Sequence, residues 1–298
     1  MLGFSRVNPQ ALAYLQILAG ALLLSTGSTV IKAVHLSAFE LAGWRAVVIT
    51  LFLLIAVRPS RQCWDRKLVP AAVAHAVTTI LFMVGNKLTS AATAIFLQYT
   101  APVYLLALGP WLLKEPVTWR DVVLVMLMIG GMLLLLTHPA APSATATNPL
   151  LGGIVAAICG VTWAFTTLTM RGLARIPDTG FQRSIAAVIV ANIGLALVLL
   201  PIVGVPSTAR PLDWLLVSYM GVLQLGSSFI LIALGLRRVT ALEGALLLLL
   251  EPVLNPLWAW WVHGEVPSRI SMVGGVLILL ATGLRAAFSA SSLKAARR

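Results

Sequence analysis

Charge is scarce in this sequence, and acid is scarcest. Only 10% of the 298 residues are charged, and nine of them are Asp or Glu. Soluble domains carry about 25% charged residues, so a water-borne fold of this size lacks the polar surface to cover itself. Cysteine is almost absent. Cys63 lies in a basic polar stretch and Cys159 in an apolar one, with neither disulfide nor zinc spacing. There is no GxSxG, no HExxH, no Gly-rich phosphate loop and no P-loop. These absences speak against an enzyme and against ATP-driven pumping by this chain alone. No cofactor and no metal are expected.

What is abundant is apolar sequence, at 59% of residues and a mean hydropathy of +0.97. A bilayer core about 30 Å thick needs about 20 apolar residues per helix. Runs of that size cover 11–31, 39–57, 69–86, 91–113, 121–137, 150–170, 182–204, 213–236, 240–262 and 270–289. The spacing therefore predicts an all-α, polytopic membrane protein with ten transmembrane helices joined by short loops. Arg6 ahead of Leu12–Leu24 has the look of a cleavable signal, but the repeat described next requires this helix to be kept. With the N-terminus inside, Lys32, Lys87, Arg210 and Arg269 face out, Arg45 lies within a span, and the remaining 16 of 21 basic residues face in. That bias predicts cytoplasmic termini in an inner (plasma) membrane. It also accounts for the net charge of +12 without a nucleic-acid partner. The lipid bilayer is the expected surrounding; oligomeric state is not legible, and a monomer is compatible.

Residues 88–115 and 238–265 match at an offset of 150, including Pro102 with Pro252, Trp111 with Trp261 and Glu115 with Glu265. These are spans four and nine, so each half holds five helices and the halves run oppositely through the membrane. The expected organisation is a first repeat over 1–137, a periplasmic linker over 138–149 and a second, inverted repeat over 150–298. The linker, rich in Pro, Ala and Thr, reads as flexible. Inverted repeats with proline-broken helices are typical of secondary transporters, with the substrate site near the midplane. A small-molecule carrier working by alternating access is the expectation, with Pro102 and Pro252 as hinges.

Ten helices in two halves, a buried Pro with Glu thirteen residues on, and the stretch LEPVLNPLWAWWVHGE (Leu250–Glu265) resemble the drug/metabolite transporter superfamily, EamA type. Gln98-Tyr99 before Pro102, and Trp163-Ala164 in span six, look similar to bacterial aromatic amino-acid exporters. The resemblance implies export of amino acids or related metabolites from the cytoplasm. Alternatives are a broad-specificity drug or cation efflux carrier of the same fold, a channel, or a membrane-embedded enzyme on lipid-linked substrate.

Glu251 stands near the middle of span nine, where an ionisable group is costly unless paired, protonated or wetted. It is the coupling candidate, against a structural acid tying span nine to a neighbour. Asn255 shares its face, and Pro252 frees the carbonyl of Leu248. In span four, Gln98, Tyr99 and Tyr104 read as pocket wall or as helix packing. Trp163 is too deep for the interfacial role that suits Trp64, Trp119, Trp214, Trp258, Trp260 and Trp261, and it lies among Thr162, Thr166, Thr167 and Thr169. His75 and Phe82 in span three, and Thr26 in the polar turn Ser25–Thr29, complete the binding candidates. Each has a packing alternative. Arg45 is close enough to the end of span two to snorkel outward or to hold a carboxylate. Glu115 and Glu265 read as helix-terminus acids ahead of spans five and ten, and Gly130-Gly131 and Gly274-Gly275 as close-packing sites.

Overall fold

A computed structural model describes residues 9–101, 103–104, 119–138, 144–174, 176–236, 238 and 247–295. Among them there are helices and turns and no strands. The first span comprises α1 (Pro9–Ser25) and α2 (Gly27–Ala33), broken at Thr26. Its hydroxyls cause the break locally, since Ser25 and Thr26 donate back to the carbonyls of Leu22 and Leu23. Then come α3 (Ala38–Ala56), α4 (Val69–Leu88), α5 (Ala91–Gln98), α6 (Trp119–Thr137) and α7 (Pro149–Ala174). Next are α8 (Gly180–Val203) and α9 (Pro211–Tyr219), which continues through a π-helical stretch, Met220–Ser227, into α10 (Ser228–Leu236). Last are α11 (Leu250–His263) and α12 (Arg269–Ala295).

Helix starts follow capping chemistry. Ser37 and Glu40 form a capping box at α3, and Ser90 accepts from the Thr93 amide at α5. At the other end of α11, Gly264 takes φ +68, the left-handed conformation that a side chain would strain.

Six segments are long and apolar enough to cross a membrane: Pro9–Ala33, Ala38–Ala56, Arg66–Leu88, Pro149–Ala174, Gly180–Val203 and Pro211–Leu236. Two shorter apolar helices, Val122–Thr137 and Arg269–Leu284, accompany them. Large apolar side chains stand exposed around the circumference, among them Leu15, Ile55, Val73, Leu197 and Leu280. Such a surface matches hydrocarbon and not water. The protein is therefore multi-pass in the membrane. Pro102, Glu115 and parts of the expected fourth and ninth spans lie outside the described residues.

The helices pack in matching pairs. α3 lies on α8, α6 on α12 and α5 on α11; α4 on α7 is mirrored by α10 on α1, and α5 on α7 by α11 on α1. Where α6 crosses α12, a methyl built on Gly131 would come within 2.6 Å of the Gly274 carbonyl, and one on Gly274 within 2.8 Å of the Gly131 carbonyl. Gly275 faces the Phe96 ring, whereas Gly130 meets open space and does not pack as expected. The expected linker is pinned at its far end: the Asn148 amide donates to Leu88, and Lys32 to the Thr145 carbonyl.

Candidate functional site

Pro252 has no N–H, so the carbonyl of Leu248, four residues back, loses its helical partner. Tyr99 at the end of α5 fills the gap. Its hydroxyl lies 3.3 Å from the Leu248 carbonyl and 3.0 Å from Oε2 of Glu251. One phenolic proton thus serves two acceptors across the α5–α11 contact. Glu251 Oε1 has no partner among the described residues.

One face of α11 continues this line of polar contacts. Asn255 Nδ2 donates to Ser28 Oγ at 2.9 Å, Trp258 Nε1 to Ser25 Oγ at 2.9 Å, and His263 Nε2 meets the Thr29 carbonyl at 2.8 Å. The broken turn of span one is thus a docking strip for α11. From the other side, Thr26 Oγ1 meets the Tyr219 hydroxyl at 2.9 Å, and Gln224 in the π-helical stretch donates to the Leu24 carbonyl at 3.4 Å. Trp258, read from the sequence only as an interfacial residue, thus also ties α11 to span one. It stands three residues after Asn255 and seven after Glu251, and that 3.6-residue periodicity was the signal for it.

The other candidates divide. Tyr104 reaches the Ala157 carbonyl at 3.4 Å and Met132 Sδ at 3.7 Å, joining α7 and α6. Gln98 has a buried Oε1 with no partner. Trp163 is half-buried on α7, one turn beyond Gly160, whose missing side chain lets Leu97, Thr100 and Tyr104 approach. Its indole N–H has no partner among the described residues. Phe82 packs into two apolar clusters. His75 is buried, its ring edge-on to Phe229 at 5.9 Å and its Nε2 unpartnered. Thr78 and Thr166 meet at 3.1 Å between α4 and α7. The structure thus joins Tyr99, Glu251 and Asn255 into one line, while Thr26, Tyr104 and Phe82 serve helix contacts. Two clefts, of about 330 Å³ and 430 Å³, include none of the candidates. The first is lined by Leu12, Gln16, Leu234 and Arg238; the second is a groove between α4 and α7.

Arg45 does not snorkel. It is 4% exposed, its Nε lacks any partner, and no ion pair reaches it among the described residues.

Each end of the bundle is held by charge. At one end Lys32, its side chain 1% exposed, pairs with Glu265 at 2.8 Å and donates to the Thr89 carbonyl at 2.7 Å. Glu265 also accepts from the Ala91 amide at 3.0 Å. It therefore caps α5 across the molecule, where the sequence suggested the helix that follows it. Nearby, Asp213 accepts from the His35 and Arg210 amides. At the opposite end, Arg183 on α8 hydrogen-bonds Asp65 and donates to the Gln62 carbonyl at 2.8 Å. That bond from Arg183 holds the Asp65 carboxyl below its usual range. Among the described residues no cluster of His, Cys, Asp or Glu could hold a metal ion.

The sequence matches the model of the EamA-like transporter family twice, over residues 11–137 and 150–285. The chain belongs to the EamA-like transporter family. It is 27% identical over 216 residues to an uncharacterized transporter of Archaeoglobus fulgidus, covering 72% of this chain and 74% of that one. It is 23% identical over 270 residues to an uncharacterized transporter of Methanothermobacter thermautotrophicus, covering 90% and 74%. A solved crystal structure superposes with a TM-score of 0.62 at 21% identity, over 92% of this chain and 96% of that one. At that identity the likeness shows fold alone. This EamA-like protein is thus a membrane transporter.

Proposed function

We propose that this transporter exports small organic metabolites, amino acids foremost and aromatic ones favoured, across the inner membrane by alternating access. In this reading both termini are cytoplasmic, and residues 1–137 and 150–298 form two inverted five-helix repeats. The observation that carries it is the packing: exchanging the two halves turns the most extensive helix pairings, α4 on α7 foremost, into others that are present. The two family matches fall on either side of the linker. A molecule built this way has a second conformation of similar energy, reached when the halves trade shapes. Pro102 and Pro252 are the hinges of that exchange.

The substrate pocket centres on Trp163, Tyr99, Gln98, His75 and Asn255, with Tyr104, Phe82 and Thr26 holding the helices around it and Glu251 coupling transport to protons or to the substrate ammonium. Support comes from polar groups without partners among the described residues: the Trp163 indole on α7 and the Oε1 of Gln98, the residue before Tyr99. Aromatic rings with a free polar edge suit a ligand of the same character.

The test is uptake into sealed vesicles containing purified protein, without ATP, with a competition panel of amino acids and lipophilic cations. Aromatic amino acids are expected to compete best, and Trp163→Ala and Tyr99→Ala to weaken competition about tenfold, the equivalent of about 1.4 kcal/mol each. Wild-type transport by both variants would remove the pocket; competition by cations alone would remove the amino-acid reading.

A further inference from the structure

Arg45 presents a physical problem that the described residues leave unsolved. A guanidinium keeps its charge at any accessible pH, so it cannot escape burial by losing a proton. Arg45 lies seven residues into α3, about 10 Å below the helix end at 1.5 Å per residue. It is buried, and the turns around it pack through Leu41, Ala46 and Ile49 against α8 and the π-helical stretch. An unpaired charge in such a place is retained at a cost in stability unless something neutralises it.

The described carboxylates are engaged elsewhere. Glu40 closes the capping box of α3, and Asp65 holds Arg183. Asp213 takes the His35 and Arg210 amides, Glu251 takes Tyr99, and Glu265 takes Lys32. Asp178 belongs to the turn before α8, at the far end of the bundle. A second orphan accompanies the first. His75 Nε2, on α4, which packs against α3, is likewise buried without a partner.

We propose that Arg45, with His75 on the adjoining helix, forms a carboxylate-binding subsite that receives the acidic group of the transported solute. The planar fork of a guanidinium matches a carboxylate with two parallel hydrogen bonds, and the adjoining α4 carries a further unpartnered nitrogen in His75. This rests on the amino-acid reading for its substrate, though not for its chemistry. At 4% exposure, Arg45 is closed to a lipid head group approaching from the surface of the bundle.

The experiment compares full-length wild type with Arg45→Met and Arg45→Lys. Binding of phenylalanine, 3-phenylpropionate, phenethylamine and chloride is measured by tryptophan fluorescence, and melting temperature is measured without ligand. Wild type is expected to bind both carboxylates. Arg45→Met weakens both at least about tenfold and leaves phenethylamine unchanged, with Arg45→Lys between. Without ligand, Arg45→Met melts no lower than wild type, because an unpaired buried charge has been replaced by apolar atoms of similar length. Unchanged carboxylate-over-amine discrimination in Arg45→Met overturns the proposal. So does a lowered melting temperature with discrimination intact, which marks a structural role, and so does a site filled equally well by chloride. If vesicles move no amino acid while 3-phenylpropionate binding still depends on Arg45, the amino-acid reading falls and the carboxylate subsite stands.

Discussion

Tyr99 places a single hydroxyl between a carbonyl that Pro252 has deprived of its partner and the carboxylate of Glu251. Tyr99→Phe removes that proton while keeping the ring. Two acceptors then lose their donor, and a melting temperature lower by an amount equivalent to about 1–3 kcal/mol is expected. Glu251→Gln keeps the shape and removes the charge. A pH gradient imposed on substrate-loaded vesicles should accelerate wild type and leave Glu251→Gln unresponsive; equal acceleration of both would separate Glu251 from coupling. Glu251 was legible in the sequence because an acid within a leucine run has few cheap explanations, and the orphaned Leu248 carbonyl followed from Pro252 alone. The donor that fills it was not. Which side chain reaches a free carbonyl depends on how α5 approaches α11, and that is set by packing across the molecule.

Helices were the most legible elements, since about 20 apolar residues in a row leave little choice of conformation in a bilayer. Breaks within them were harder. The turn at Thr26 has a sequence cue in five consecutive small or polar residues. The widened turn at Met220–Ser227 does not announce itself: Gly221 and Gly226 look like ordinary helix glycines until Val48 and Phe52 of α3 are seen pressed against them. Closeness of backbones is testable where α6 meets α12. Gly131→Leu sets a side chain against the Gly274 carbonyl, and an overpacking cost of about 1–3 kcal/mol is expected, read as a lower melting temperature. Gly130→Leu on the adjoining face meets open space and should change it little.

At the scale of the molecule, Lys32–Glu265 and Asp65–Arg183 tie opposite ends of the bundle. Neither pair was legible, because each joins residues more than a hundred positions apart and charge patterning reads only neighbours. The two should answer differently to substitution. Lys32→Met leaves Glu265 buried without its cation, and a loss of about 3–5 kcal/mol is expected, with Glu265→Gln in the same chain restoring part of it. Asp65 is more open and responds to pH instead. Its carboxyl is held below the ordinary 3.8 in the folded protein, so its contribution is fully present above that value and disappears as pH falls through the lower folded value. Melting temperature should therefore drop more steeply below about pH 4 in wild type than in Arg183→Met.

Cys63 has no exposed surface, and its sulfur rests against Ser60 and Gln182, beneath the contact that Asp65 makes with Arg183. The molecule thereby carries its own reporter. Alkylation of this thiol times how often that end parts, substrate by substrate, with no engineered label.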